Sequence, residues 1–432
     1  MNTWFVALCV LILLGIGVIG CRKTIGVMIT PMLIIVAWWG LWLTVAVADF
    51  YAVGNVGAET VSLCLVAMTG VVFGGILPQS EKIQQIGNHL QIERRGKWLL
   101  YFAIAIFVIT LPISYRSAIS NGGNISSFYV KSYEQASDAY GSIHVFGAVD
   151  YLQALAGYLV IVLTPTYGYR NGKWGLPLVG IACVIGRTLL SGGRVAVFDL
   201  IFVVGMMGLL SRNQQIPRRL GGRYYLNLVV LVVGVWSVAY VTDIRMETNS
   251  IQDELKEFVI YQSVGFLMLH EEFNDKHSML NESGFWYGLA STTGVQSILE
   301  IGVRRLKPDF VGPGDRLVDY IGRPRDIGND IRENAYYTVF YPLYLDGGII
   351  AVFIGGVSFG FLINRWYVKM LKINSYLHWV LVGTGLFTGF ESLLFPPIIR
   401  IQYIFLWICI YALTFNWLRH EDLSSVLVKR KP

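Results

Sequence analysis

Residues 3–20, TWFVALCVLILLGIGVIG, form an apolar stretch without a charged side chain. A helix of about 20 apolar residues crosses the roughly 30 Å hydrocarbon core of a bilayer, so this stretch predicts a membrane span. It has no basic residue ahead of its apolar core and no small-x-small cleavage site, and a second apolar stretch, 25–48, follows at once. These features favour a retained span over a cleaved signal peptide.

Similar apolar stretches recur along the chain. Of its 432 residues, 54% are hydrophobic and 14% are charged, whereas a soluble protein carries about 25% charged residues. The stretches long enough to span are 3–20, 25–48, 60–78, 98–114, 146–166, 175–190, 195–211, 224–242, 338–362, 375–396 and 399–418. The sequence therefore predicts an all-α polytopic membrane protein with about eleven transmembrane helices.

Basic residues are concentrated in the six short connectors that eleven spans would place on one side of the membrane. These connectors hold 19 of the 34 lysines and arginines. They are Arg22 with Lys23; Lys82 with Arg94, Arg95 and Lys97; Arg170 with Lys173; Arg212, Arg218, Arg219 and Arg223; Arg365, Lys369 and Lys372; and the tail with Arg419, Lys429, Arg430 and Lys431. By the positive-inside rule the N-terminus lies outside and the C-terminus inside. The net charge of +6 is thus a topology signal and does not point to nucleic acid.

This topology divides the chain into four parts. Transmembrane helices 1–8 occupy 1–242, a large extracytoplasmic loop occupies 243–337, helices 9–11 occupy 338–418, and a basic cytoplasmic tail occupies 419–432. A loop of this length is far longer than a connector requires.

Three segments of the large loop have distinct patterns. Residues 253–270, DELKEFVIYQSVGFLMLH, predict an amphipathic helix, with Leu255, Phe258, Val259, Gln262 and Phe266 on one face. Residues 284–306 are too polar to span but apolar enough to lie on the bilayer or dip into it. Residues 307–335 are rich in Pro, Gly, Arg and Asp and predict a loop that its surroundings must order.

Arginine outnumbers lysine in the large loop. Its arginines are Arg245, Arg304, Arg305, Arg316, Arg323, Arg325 and Arg332, and its lysines are Lys256, Lys276 and Lys307. The planar guanidinium binds phosphate oxygens in pairs, whereas ammonium acts as a point charge, so this excess indicates phosphate binding. The alternative is that these arginines pair with neighbouring acids on a wet surface.

Ionisable residues also lie within the predicted spans or directly at their ends. They are Arg187, Arg194, Asp199, Asp346, Glu391 and Arg400, all near the outer ends. Because intramembrane charges are costly, they indicate a site that faces the bundle interior, here one outward-facing cavity. The alternative is local pairing, for instance of Glu391 with Arg400 or of Arg194 with Asp199, with snorkelling to the interface.

Several other kinds of chemistry lack a signature. The six histidines show no zinc-binding spacing, the five cysteines lie in apolar runs, and no Walker A loop or dinucleotide fingerprint is present. The sequence therefore predicts no metal and no cofactor. His144, His270 and His277 could each act as a general base, although a surface or interface role is the simpler interpretation of each.

Two segments resemble one bacterial family. The run 191–198, SGGRVAVF, resembles the Gly/Ser-Arg motif that opens a span in the Wzy-type O-antigen (oligosaccharide repeat unit) polymerases. The stretch 333–355, ENAYYTVFYPLYLDGGIIAVFIG, is similar to the segment that follows the large periplasmic loop of that family, with Gly347 in place of an aromatic residue and Ala351 in place of a glycine. A third likeness is the tyrosine-rich helix and Gly-Phe-Trp-Tyr run within 261–287.

The resemblance implies a reaction, a location and a set of roles. A glycan on undecaprenyl pyrophosphate is transferred, at the periplasmic face of the inner membrane, to the terminal sugar of a new lipid-linked repeat unit. The residues that would hold pyrophosphate are Arg187, Arg194, Arg323, Arg332 and Arg400. The candidate bases are Glu333, Asp346 and His270. The partners would be lipid-linked oligosaccharides, membrane lipids and, as a further candidate, a membrane protein that regulates chain length.

Other functions fit the same layout. An O-antigen ligase would use similar arginines but usually carries a histidine late in its large loop, and none follows His277 before the next span. A transporter or flippase of lipid-linked oligosaccharides usually lacks so long an outer loop and often shows repeated halves. A structural or binding protein without turnover is the remaining alternative.

Overall fold

The structure, a computed structural model, describes residues 2–50, 54–78, 89–120, 145–191, 195–213, 251–326, 332–334, 338–394 and 396–414. The helices are α1 (Thr3–Thr24), α2 (Pro31–Ala48), α3 (Ala58–Ile76), α4 (His89–Ser120), α5 (Val145–Asn171), α6 (Gly175–Ser191), α7 (Val195–Ser211), α8 (Ile251–Asn274), α9 (Met279–Ser283), α10 (Thr293–Leu306), α11 (Pro313–Gly322), α12 (Phe340–Ile373), α13 (Tyr376–Glu391) and α14 (Ile401–Thr414). Two short strands, β1 (Pro324–Asp326) and β2 (Arg332–Asn334), and a 3₁₀ turn (Pro397–Ile399) complete the described chain.

The described chain is helical apart from this two-stranded ribbon, as the apolar pattern predicts. Within the described residues, five helical segments are long and apolar enough to cross a membrane: Thr3–Thr24, Pro31–Ala48, Ala58–Ile76, Ile92–Pro112 and Phe340–Ile373. Shorter apolar helices cover Gly175–Leu189, Val195–Ser211 and Ile401–Leu413. The predicted span 224–242 lies outside the described residues.

Helix α1 shows the surface that such helices present. Leu8, Leu11 and Ile19 are more than half exposed, while Val6 and Cys21 are buried against the rest of the bundle. Apolar side chains on an outer face are costly in water but suit contact with lipid tails.

Helices α3 and α12 cross through facing glycines. Gly70 and Gly74 on α3 meet Gly356 and Gly360 on α12, with the spacing Gly-x-x-x-Gly on each helix. A Cβ on Gly74 would lie 2.0 Å from the carbonyl oxygen of Val357, so the two backbones are in direct contact. In a membrane, where helix association depends on close packing, such small-residue crossings are a common form of adhesion.

Helix α12 is interrupted near its start. Gly348 has φ +63°, and the helix direction breaks at Gly347 and Gly348. Only glycine adopts this backbone conformation without strain. The break separates a short helical segment, which ends at Asp346, from the long apolar helix that follows.

The predicted helix over 253–270 is present as α8, although its burial is greater than one amphipathic face would give. Residues 262–269 are all buried, and α8 packs against α2 and α3. The helix therefore belongs to the bundle and does not merely rest on its surface. A helical segment that is buried on every side needs no polar face. The amphipathic pattern of 253–270 therefore predicted the helix but not the extent of its burial.

The prediction that 307–335 is a loop was wrong for 313–322, 324–326 and 332–334. Residues Pro313–Gly322 form α11, and β1 pairs antiparallel with β2, so that Arg325 faces Glu333 in the register. Glu300 of α10 stabilises the start of α11, because its carboxylate accepts hydrogen bonds from the amides of Gly314 (3.0 Å) and Asp315 (3.1 Å). Amide groups at a helix N-terminus require such acceptors, and a partner outside the segment can supply them.

Candidate functional site

Four polar side chains from different helices meet inside the bundle. Arg400 lies between the 3₁₀ turn and α14, Glu391 ends α13, Asp199 lies in the first turns of α7, and Tyr158 lies within α5. We call these residues the Arg400 cluster. Sequence analysis had placed three of these four among the span charges.

The hydrogen bonds of Arg400 define the geometry of the cluster. Its Nη1 donates to the hydroxyl of Tyr158 at 2.7 Å and to Oε2 of Glu391 at 3.2 Å. The Glu391 side chain is 1% exposed, whereas that of Arg400 is 25% exposed. The guanidinium is thus anchored by two buried partners while a quarter of the side chain stays exposed. An anchored, partly exposed guanidinium is suited to binding an anion such as phosphate.

Asp199 completes the cluster and is the most enclosed of its members. Its side chain is 0% exposed, and neither carboxyl oxygen has a hydrogen-bond donor within reach in the part of the chain that the structure describes. Its electrostatic neighbours are Glu391 and Arg400. Two carboxyl groups therefore lie beside one guanidinium in an apolar surrounding.

The start of α10 packs directly over Arg400. A Cβ on Gly294 would lie 2.6 Å from the carbonyl oxygen of Ile398 and 3.3 Å from that of Arg400, so only glycine fits there. Within the described residues, this contact connects the large loop to the turn that carries the arginine.

Asp346 fastens the same part of the loop to α12. Its Oδ1 and Oδ2 accept hydrogen bonds from the amides of Ala290 and Ser291, each at 2.8 Å. The amide of Trp286 donates to the carbonyl oxygen of Leu345 at 2.8 Å. Residues 286–294 are therefore held to α12 at one end and rest on the Arg400 turn at the other. Asp346, predicted as a base, already accepts two backbone hydrogen bonds.

The other predicted arginines differ in their surroundings. Arg323 is 66% exposed and pairs with Asp319 at 2.5 Å, and Arg304 pairs with Asp315 at 3.2 Å. These two follow the alternative interpretation of local pairing. Arg187 packs near the cluster, because its Nη1 would lie 3.7 Å from a Cβ on Gly157, the neighbour of Tyr158. Arg194 and the side chains of Arg332 and Glu333 lie outside the described residues.

His270 and His277 have partners other than the Arg400 cluster. His270 packs against Gly57, with its Nε2 3.0 Å from Nδ2 of Asn274. His277 pairs with Glu282 at 3.2 Å on an exposed surface, and His144 lies outside the described residues. Among the residues the structure describes, no three His, Cys, Asp or Glu side chains are grouped as metal ligands.

Two features were missed by sequence analysis. Tyr158 lies in an apolar stretch in which a single tyrosine gives no signal of its partner. Glu272 of α8 is fully buried and accepts hydrogen bonds from the hydroxyls of Tyr320 (2.8 Å) and Tyr341 (3.0 Å). This carboxylate joins α8, α11 and α12 and resembles an ordinary surface acid in the sequence.

Comparison of the chain with models of protein families, with curated proteins and with solved structures finds no match.

Proposed function

We propose that this protein is a glycosyltransferase of the bacterial inner membrane that polymerises oligosaccharide repeat units carried on undecaprenyl pyrophosphate. The observation that carries the proposal is Arg400, whose partly exposed guanidinium is fixed by Glu391 and Tyr158 and whose backbone carbonyl packs against the start of α10. This arginine would bind the donor pyrophosphate. Preorganised cations that face a developing negative charge are a large source of catalysis.

The proposed topology has eleven spans, with the N-terminus outside. It places the start of α7, the end of α13 and the start of α14 on the periplasmic side. Asp199, Glu391 and Arg400 lie at these three helix ends. Their convergence is what an outward-facing site requires, because the substrate sugars would be presented from the periplasm.

The proposed reaction needs no added cofactor. The hydroxyl oxygen of the acceptor sugar attacks C1 of the donor sugar, and the bond between C1 and the phosphate oxygen breaks. The electron pair leaves with undecaprenyl pyrophosphate, whose charge Arg400 stabilises together with Arg187 and Arg194. A base takes the hydroxyl proton. Glu333, Asp346 and His270 stay the candidates for that base, with Arg323 and Arg332 as further phosphate ligands from the loop.

The proposal is tested with purified protein in lipid nanodiscs supplied with an undecaprenyl-pyrophosphate-linked repeat unit. The wild-type protein should release undecaprenyl pyrophosphate and produce a ladder of lengthened glycans. Arg400→Gln should lower the transfer rate by about 10²–10³, the cost of removing one donor to a developing oxyanion. Arg194→Gln should abolish chain growth in the same way.

Arg365→Gln is the matched control. Arg365 is an exposed arginine near the C-terminal end of α12, and its guanidinium lies 5.7 Å from the ring of Phe361. Its substitution should leave the glycan ladder unchanged. If Arg194→Gln and Arg400→Gln both keep long ladders at normal protein levels, the pyrophosphate-binding assignment is wrong.

A gene deletion separates this function from its alternatives in a host that attaches the glycan to lipid A. Loss of a polymerase leaves one repeat unit on lipid A, because the ligase can still transfer it. Loss of a ligase or a flippase leaves none. An unchanged glycan ladder in the deletion strain would exclude the proposed role.

A further inference from the structure

The carboxyl group of Asp199 is enclosed in a manner that an ionised group does not tolerate. Its side chain is wholly buried, and both oxygens lack a hydrogen-bond donor among the described residues. A carboxylate removed from water without hydrogen bonds carries a very large free-energy cost, so such a group normally takes up a proton.

Glu391 has one satisfied oxygen and one unsatisfied oxygen. Its Oε2 accepts from Arg400, while its buried Oε1 has no hydrogen-bond donor among the described residues. Asp199 and Glu391 are electrostatic neighbours, and each has a buried carboxyl oxygen without a donor among the described residues. As two carboxylates, neither group could donate to the other. With one proton between them, a hydrogen bond forms that satisfies an oxygen on each side.

The charge balance leads to the same arrangement. Among the residues that the structure describes, Arg400 is the cation that acts on Asp199, and its Nη1 already binds Glu391 and Tyr158. Two adjacent ionised carboxylates would repel each other. One proton on the pair leaves a single carboxylate opposite a single guanidinium. That is the combination in which a buried ion pair is best compensated.

We propose that Asp199 is a protonated, uncharged positioning residue that donates a hydrogen bond to Oε1 of Glu391. The Glu391 carboxylate is then held from both sides, by Asp199 at Oε1 and by Arg400 at Oε2. Asp199 thereby fixes the guanidinium that the proposed function uses to bind pyrophosphate. The protonation state of Asp199 is independent of that function, whereas its effect on transfer rests on it.

The first test measures protonation directly. Infrared spectroscopy of the full-length protein in nanodiscs at pH 7 should show the carbonyl band of a protonated carboxylic acid. Asp199→Asn should remove this band. Asp319→Asn is the control, because Asp319 is an exposed acid paired with Arg323 and should leave the band in place. A band that persists in Asp199→Asn, or is missing from the wild-type protein, overturns the proposal.

The second test uses the similarity between asparagine and a protonated aspartic acid. Asp199→Asn keeps a donor for Glu391, so its unfolding midpoint should stay within about 2 °C of the wild-type value. Asp199→Ala removes the donor, so its unfolding midpoint should fall and its transfer rate should be lower than that of Asp199→Asn. Equal losses in the two variants would overturn the positioning role, even with the infrared band assigned. A wild-type protein without transfer activity would instead refute the proposed function and leave the infrared result standing.

Discussion

Oδ1 of Asp346 lies 2.8 Å from the amide nitrogen of Ala290, and this hydrogen bond joins α12 to the large loop. The second oxygen of Asp346 binds the next amide, that of Ser291, at the same distance. A carboxylate that accepts hydrogen bonds from two consecutive backbone amides holds that segment of the chain in place. Asp346 is one of three candidate bases that the sequence suggests, and its contacts with the two amides are those of an anchor.

We expect Asp346→Ala to destabilise the protein by about 1–3 kcal/mol, because it leaves two loop amides without their acceptor. Thermal unfolding in detergent and proteolysis of the loop would both report the change. If Asp346 is instead the base, Asp346→Asn should lose transfer activity while its unfolding midpoint and its protease resistance stay at wild-type values.

The second prediction concerns the stability of the crossing between α3 and α12, where glycines bring the two backbones into contact. A Cβ on Gly360 would lie 2.0 Å from the carbonyl oxygen of Val71, so Gly360→Ala must push the two helices apart. Overpacking of this kind costs about 1–3 kcal/mol. The unfolding midpoint and the yield of folded protein should both fall.

Gly205→Ala is the control for this change. Gly205 lies inside α7, and no atom lies within 4 Å of the position its Cβ would take. Alanine there should be neutral or stabilising by up to about 1 kcal/mol, because glycine is the weaker helix former. Equal effects of the two substitutions would show that backbone contact between α3 and α12 is unimportant for stability.

The third prediction is that helix α10 contacts lipid, because several of its apolar residues face outward. Leu299 is 65% exposed and Leu306 is 90% exposed, while Glu300 on the same helix is buried. A helix that buries a glutamate and exposes its leucines suits contact with an apolar phase, and the predicted position of 284–306 at the bilayer surface supplies one.

This lipid contact can be measured with a fluorescent label on a single cysteine, in a variant whose five native cysteines are replaced by alanine. A label at Leu299→Cys should be quenched strongly by lipids brominated on their acyl chains. A label at Lys276→Cys, an exposed polar position of the same loop, should be quenched weakly. Equal weak quenching at both positions would place the α10 leucines away from lipid.

Much of the candidate site could be named from the sequence, but its arrangement could not. Glu391 and Arg400 are nine residues apart, and their pairing was foreseen as a local contact. Tyr158 reaches Arg400 from 242 residues away, and nothing in its neighbourhood indicates that contact. Arg323 and Arg400 look equally suited to phosphate in the sequence, yet one pairs with a surface acid and the other is held inside the bundle.

The helical character of the chain and its many apolar segments follow directly from the amino-acid pattern. Long apolar runs must satisfy their own backbone hydrogen bonds in lipid, and a helix does so within one segment. That requirement is local, so it can be read residue by residue. The glycines of α3 and α12 also stand at their characteristic spacing in the sequence, although only the fold shows that the two motifs face each other.

Which charged side chains contact each other, and which segments of the loop form helices, depends on the tertiary packing. Asp199, Glu391 and Arg400 come together because α7, α13 and α14 pack with their ends side by side, and α11 forms where Glu300 of a different helix accepts its first amides. These outcomes depend on contacts between segments distant in the chain. A buried charge is tolerated only where such contacts supply its partner, and no local pattern encodes that partner.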